Sequence, residues 1–232
     1  EIANIPELDS EAFLEDESRA LSSLQNWAAL VLTAQQACYT AAVLGIETKD
    51  PRIMHRAKRI GAIVEHALTE ASESVQDMAD REMDNASSEL ILKLVVTIDH
   101  LRRLDDALRD SIEIHERLIR THARFSVDSL LEIQTVYPAT AKLLRHLHEL
   151  VTDPGDTEVQ NAFRKAEKKA DVTLKRSYRN FLDLVKKLDE RGALADFLSI
   201  HQGLRMKVHA FARYFTSGEV IPLLEQGSDD SA

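Results

Sequence analysis

Long stretches of this chain carry an apolar residue at every third or fourth position, with almost nothing to interrupt them. Leu90, Leu94, Leu101, Leu104, Leu108 and Ile112 form one such stripe; Ile53, Ala57, Ile60, Val64, Ala67, Ala71 and Met78 form another. At 3.6 residues per turn these positions share one face of a helix, whereas a half-buried strand would alternate at every second residue. Only seven glycines and five prolines punctuate the 232 residues, too few for the many turns of a β fold. The expectation is an all-α protein.

Six helical segments follow from the stripes and their punctuation. The first is expected from about Ser18 to Leu44, carrying Leu21, Leu24, Ala28, Val31, Cys38 and Ala42, with Gly45 as a left-handed stop covered by Ile46. Asp50-Pro51 opens the second, as an N-cap followed by proline at the first helical position. Asp84-Asn85-Ala86-Ser87 ends it and restarts the third. After a short break near Arg124–Ser126 the fourth carries Val127, Leu130, Tyr137, Ala141, Leu144 and Val151, with Pro138 predicted to kink it. Asp153-Pro154-Gly155-Asp156 is a turn whose Asp156 caps the fifth helix. That helix carries Val159, Phe163, Ala166, Ala170, Leu174, Phe181 and Leu188, and Arg191-Gly192 is expected to end it. The sixth carries Leu194, Phe197, Leu204, Val208, Phe211 and Phe215, and periodicity is lost after Gly218.

Short connections force consecutive helices to run antiparallel, and stripes of nearly seven-residue period suit helices packed at shallow angles. The second set of three follows the first after roughly 100 residues, as in a diverged duplication. The predicted organisation is a lead-in over residues 1–17, three-helix bundles over 18–124 and 125–217, and a tail over 218–232.

Charge and cysteine content narrow the function. Cys38 is the only cysteine, so neither an intrachain disulfide nor a multi-cysteine metal site is available. Inside an apolar stripe it is expected to be a small buried hydrophobe, in a reducing compartment. No uninterrupted apolar run approaches the roughly 18–20 residues that span a bilayer, and no charged-then-apolar leader opens the chain. Beginning at Glu1, the chain is expected to be a processed product or a piece of a longer one. The net charge of −10 argues against nucleic-acid partners. It is uneven: residues 1–124 carry 14 Lys and Arg against 23 Asp and Glu, and the remainder 15 against 16.

Three stretches resemble the PhoU-like family of phosphate-transport regulators, whose members are two tandem three-helix bundles. Ile5-Pro6-Glu7-Leu8-Asp9 with Phe13-Leu14-Glu15-Asp16 and Ala20-Leu21 is similar to the lead-in of the soluble PhoU-like domain that follows the membrane part of bacterial sodium/phosphate cotransporters. Ala166-Glu167-Lys168-Lys169-Ala170-Asp171 resembles the family's Glu-x-x-x-Asp segment. The third and sixth helices loosely resemble its Leu-Glu-Arg-Ile-Gly-Asp-His-Ala stretch. The resemblance implies a non-enzymatic cytoplasmic regulator at the inner face of the cell membrane. Its partner would be a membrane phosphate transporter, in the same polypeptide, with a homodimer as a further option. One bundle would dock while the pair flexes about the junction near Arg124–Ser126.

The resemblance also implies a divalent-metal role for Glu167, Asp171, Asp106 and Asp110, since carboxylates one turn apart can share a cation. Against it, Arg102 and Arg205 stand where the family has the first acid of each pair, and an arginine cannot ligate a cation. Glu167 and Asp171 pair equally well with Arg205 or neighbouring lysines. No organic cofactor is implied. Alternatives are a metal-handling helical bundle and a dimerising helical scaffold.

Other features have plainer readings. Glu70, Glu73, Asp77 and Asp80 form an acidic run opposite the second helix's apolar stripe, read as a solvated face. Arg164, Lys165, Lys168, Lys169, Lys175, Arg176, Arg179, Lys186 and Lys187 make the fifth helix basic, suited to anionic lipid, an acidic partner or neighbouring acids. His146 and His148 face different directions, His201 falls on a core stripe, and Trp27 reads as core or interface filler. No His-Glu-x-x-His, Glu-x-x-His pair, phosphate loop or nucleophile elbow occurs, so no residue is nominated as catalytic.

Overall fold

The structure, a computed structural model, describes residues 4–15, 17–48, 50–80, 85–120, 127–185 and 191–217. Every regular element among them is helical: α1 (Ala12–Glu15), α2 (Glu17–Thr48), α3 (Pro51–Ala79), α4 (Asn85–Arg120), α5 (Val127–Thr152), α6 (Thr157–Val185) and α7 (Arg191–Ser217). The six long helices are those expected, and α1 is an addition from the lead-in. The junction at Arg124–Ser126, the tail, and the side chains of Ile46, Lys186, Lys187 and Leu188 lie outside the described residues.

Local chemistry explains most boundaries. Asp50, in extended backbone, accepts the Arg52 N–H on Oδ1 at 2.9 Å, and Pro51 occupies the first turn of α3. Asp156 Oδ1 accepts the Glu158 N–H at 2.6 Å to start α6. α5 runs unbroken past Pro138, whose ring is exposed.

Two boundaries differ from expectation. Gly45 does not stop the first helix: α2 continues to Thr48 with Gly45 buried inside it. A Cβ there would lie 3.0 Å from Met54 Cε, so the glycine serves the close approach of α3 to α2 rather than a left-handed turn. Arg191-Gly192 does not end the fifth helix but begins α7. The fourth helix's stripe is corrected in part: Leu144 and Val151 are buried as expected. Val127 is 75 % exposed, and the buried face of α5 runs through Ile133, Val136, Leu143, Leu147 and Leu150. That face is wide because α5 touches α2, α6 and α7, and a single-stripe reading locates only one neighbour.

α2, α3 and α4 pack on one another, as do α5, α6 and α7. The two sets meet through α2 against α5 and α4 against α7. In order α2, α4, α7, α5, the inner helices therefore close a four-helix ring. α3 flanks one side of this ring and α6 the opposite side. One apolar cluster runs through both sets, from Ile5, Leu8 and Phe13 of the lead-in through Leu32, Leu94 and Leu101 to Leu147 and Phe211. A smaller cluster, including Ile133, Leu174, Leu194 and Phe197, fills the second set alone. A shared apolar interface of this extent opposes the free rotation of one bundle on the other.

Within Glu17–Gly45 of α2, an 18-residue stretch has a mean hydropathy of 1.3, so by length and composition alone this helix could cross a membrane. The apolar face of α2 is instead covered by α3, α4 and α5.

Candidate functional site

Several polar groups inside the ring are held in pairs, while Gln35 Oε1 is buried without a partner. Tyr39 on α2 and His201 on α7, both 1 % exposed, meet across its diagonal with Oη 2.8 Å from Nε2. His201 Nδ1 lies 2.7 Å from the Phe197 carbonyl oxygen, an acceptor only, so Nδ1 carries the hydrogen and Nε2 accepts from the tyrosine. Burial pushes the His201 pKa down to about 4, opposed by its bond to Phe197. His100 stacks on Phe211 at 5.1 Å between ring centroids, and burial lowers its pKa too. Gln35 and Gln36 of α2 donate to the carbonyls of Leu101 and Leu144 on α4 and α5, and Tyr214 of α7 donates to the Lys93 carbonyl. Cys38 is buried, as expected, with its thiol pushed up to about 12 chiefly by burial. Trp27 is core.

The proposed metal residues are not assembled into one site. α4, bearing Asp106 and Asp110, does not touch α6, bearing Glu167 and Asp171. Arg205 lies 3.9 Å from Glu167 and 3.4 Å from Asp171; His209 also bonds Glu167, and Lys175 is 2.9 Å from Asp171. Arg205, Lys175 and His209 thus occupy the two carboxylates. Arg102 points the same way in the first set, from α4 onto α3, donating to the Leu68 carbonyl and the Ser72 hydroxyl. Arg102 and Arg205 thus tie the third helix of each set to its second.

Asp106 and Asp110 are exposed, whereas the neighbouring Asp105, which sequence reasoning passed over, is 2 % exposed. Arg109 bridges Asp105 at 2.9 Å and Glu65 of α3 at 3.1 Å. Burial raises the Asp105 pKa against the pull of Arg109. Asp110 lines an open groove of about 570 Å³ with Glu113, Glu116 and Asp196, where Glu116 is 2.5 Å from Lys58. Among the described residues, no three His, Cys, Asp or Glu side chains converge as a metal site would require. His146 bonds Glu149 at 2.6 Å. A smaller cavity of about 240 Å³ between α6 and α7 is lined by Arg164, Glu167, His209, Arg213 and, at its floor, Phe163.

No family model, curated protein or solved structure matches this chain.

The outer face of α6 differs from every surface above. Glu167 and Asp171 turn inward to α7, leaving Arg164, Lys165, Lys168, Lys169, Arg176 and Arg179 exposed. None of these six is ion-paired among the described residues, although the chain carries ten more acids than bases. Several cations elsewhere do find acids: Lys58 with Glu116, Lys93 with Glu89, Arg103 with Asp99 and Arg109 with Glu65. Val172, 57 % exposed, sits in the middle of the basic face and Leu182, 60 % exposed, lies towards its C-terminal end.

Proposed function

We propose that this chain is a non-enzymatic regulatory domain, PhoU-like in type, acting in phosphate transport or phosphate signalling by docking a helix surface on a membrane transporter. The transporter is part of the same polypeptide or a companion to it, and the domain works at the cytoplasmic face. The observation that supports this reading most is the outer face of α6: six exposed cations without an ion pair among the described residues, on one helix of an acidic chain. Because the bundles share a core, the pair docks as one body, in place of the hinged pair expected from two separately packed bundles joined by a short break.

The test is association and transport measured together. The chain is co-purified with the membrane protein encoded with it, and phosphate uptake is followed in cells carrying native or Lys168→Glu/Arg176→Glu/Arg179→Glu protein. Loss of association with altered uptake is the expected result. Unchanged association and uptake would remove the reading.

A further inference from the structure

The basic face runs over residues 164–179, about 22 Å of helix at 1.5 Å per residue. Arg164 also lines the cavity against α7, but the other five cations lie over the exposed outside of α6, which suits a broad anionic partner rather than one shaped to a pocket. α6 touches only α5 and α7, while the acidic run of α3 (Glu70, Glu73, Asp77 and Asp80) lies on the opposite flank, beyond the four-helix ring. At a Debye length of about 8 Å in physiological salt, that far flank does not screen the near one.

We infer that α6 seats the protein on anionic lipid headgroups, with Lys165, Lys168, Lys169, Arg176 and Arg179 facing the phosphates and Val172 entering the headgroup layer. This deepens the docking surface proposed above, and rests on it, by naming the lipid as what α6 meets. Two alternative occupants fit less well. A second copy offers α3, but its acidic run shares the helix with exposed Arg52, Arg56, Lys58 and Arg59, so no acidic line matches α6 in length. A pairing of α6 with α3 between copies is also head-to-tail and builds open chains rather than a closed dimer. Nucleic acid has phosphates but gains nothing from Val172 and Leu182, whereas apolar side chains within a basic helix face are stabilised at the headgroup–acyl boundary.

The whole 232-residue chain is mixed with vesicles of phosphatidylcholine, with and without about a third phosphatidylserine, and sedimented. Binding is expected only to the anionic vesicles, and is lost at roughly 1 M salt, where the Debye length shrinks to about 3 Å. Lys168→Glu/Arg176→Glu/Arg179→Glu, all at exposed positions, is expected to lower the bound fraction roughly tenfold with unchanged helicity by circular dichroism. Glu73→Gln/Asp77→Asn on the far flank leaves it unaltered. A polarity-sensitive dye on Val172→Cys shifts to the blue on vesicle addition and one on Glu73→Cys does not; the buried Cys38 leaves the introduced thiol as the one labelled.

Equal binding to neutral vesicles, or anionic binding indifferent to the α6 substitutions, overturns the inference. So does salt-sensitive self-association without vesicle binding, which assigns α6 to a second copy, or retardation of duplex DNA without vesicle binding. Association with the transporter through α6 in the absence of any vesicle binding leaves the proposed function standing and removes the lipid.

Discussion

Tyr39 and His201 carry the most consequential polar contact at the residue scale, because neither has water to fall back on. The Tyr39 hydroxyl is the donor to His201 Nε2, so Tyr39→Phe strands an acceptor in the core while leaving shape nearly unchanged. A loss of about 1–3 kcal/mol is expected, measured by urea denaturation with the buried Trp27, the chain's sole tryptophan, as fluorescence reporter. A change below about 0.5 kcal/mol would mean the bond contributes no net stability. The spacing of apolar residues placed His201 on a buried stripe but was silent about its partner, because the two residues are 162 positions apart. Asp105 was missed for a related reason: a carboxylate is priced as a surface group until a neighbour such as Arg109 is known to reach it.

At the scale of elements, the helices owe their ends to local chemistry and their faces to neighbours. Asp50 and Asp156 cap as their sequence positions imply, whereas Gly45 and Arg191-Gly192 do not terminate the helices they seemed to end. Glycine within a helix is costly unless something close requires it. Gly203 has nothing within 4 Å of where a Cβ would stand, in the interior of α7. Gly203→Ala is therefore expected to raise stability by about 1 kcal/mol, readable as an upward shift of the thermal midpoint. Gly45→Ala should gain less or nothing, since its Cβ would crowd Met54. Equal gains at both sites would contradict the role assigned to Gly45.

For the whole molecule, the interface between the helix sets contains two neutral histidines, His100 and His201. The folded-state pKa of His201, about 4, lies below its ordinary 6.5, so the unfolded chain takes up a proton across that window and the folded chain does not. His100 is displaced in the same direction. Their contribution is full above about pH 6.5 and is lost as pH falls towards 4, on the order of 3 kcal/mol for His201. Denaturation at pH 7 and pH 5 is expected to show this loss, and His201→Gln should flatten the slope between those points. A native protein equally stable at both values would place the ring in a wetter site than the bundle interior.

Apolar periodicity and short connections were enough to establish six helices, their order, their antiparallel runs and most of their buried faces. These depend on interactions within a few turns of the same helix or with its immediate successor. The inward turn of Glu167 and Asp171 onto Arg205 was present in the sequence as one of two options. Only the tertiary structure decided that the bundles share one core, that α2, α4, α5 and α7 form the ring, and that α6 is left outside with six cations exposed. Each of those outcomes depends on which helix of one set meets which helix of the other, and repeating stripes of similar period do not distinguish the possible partners.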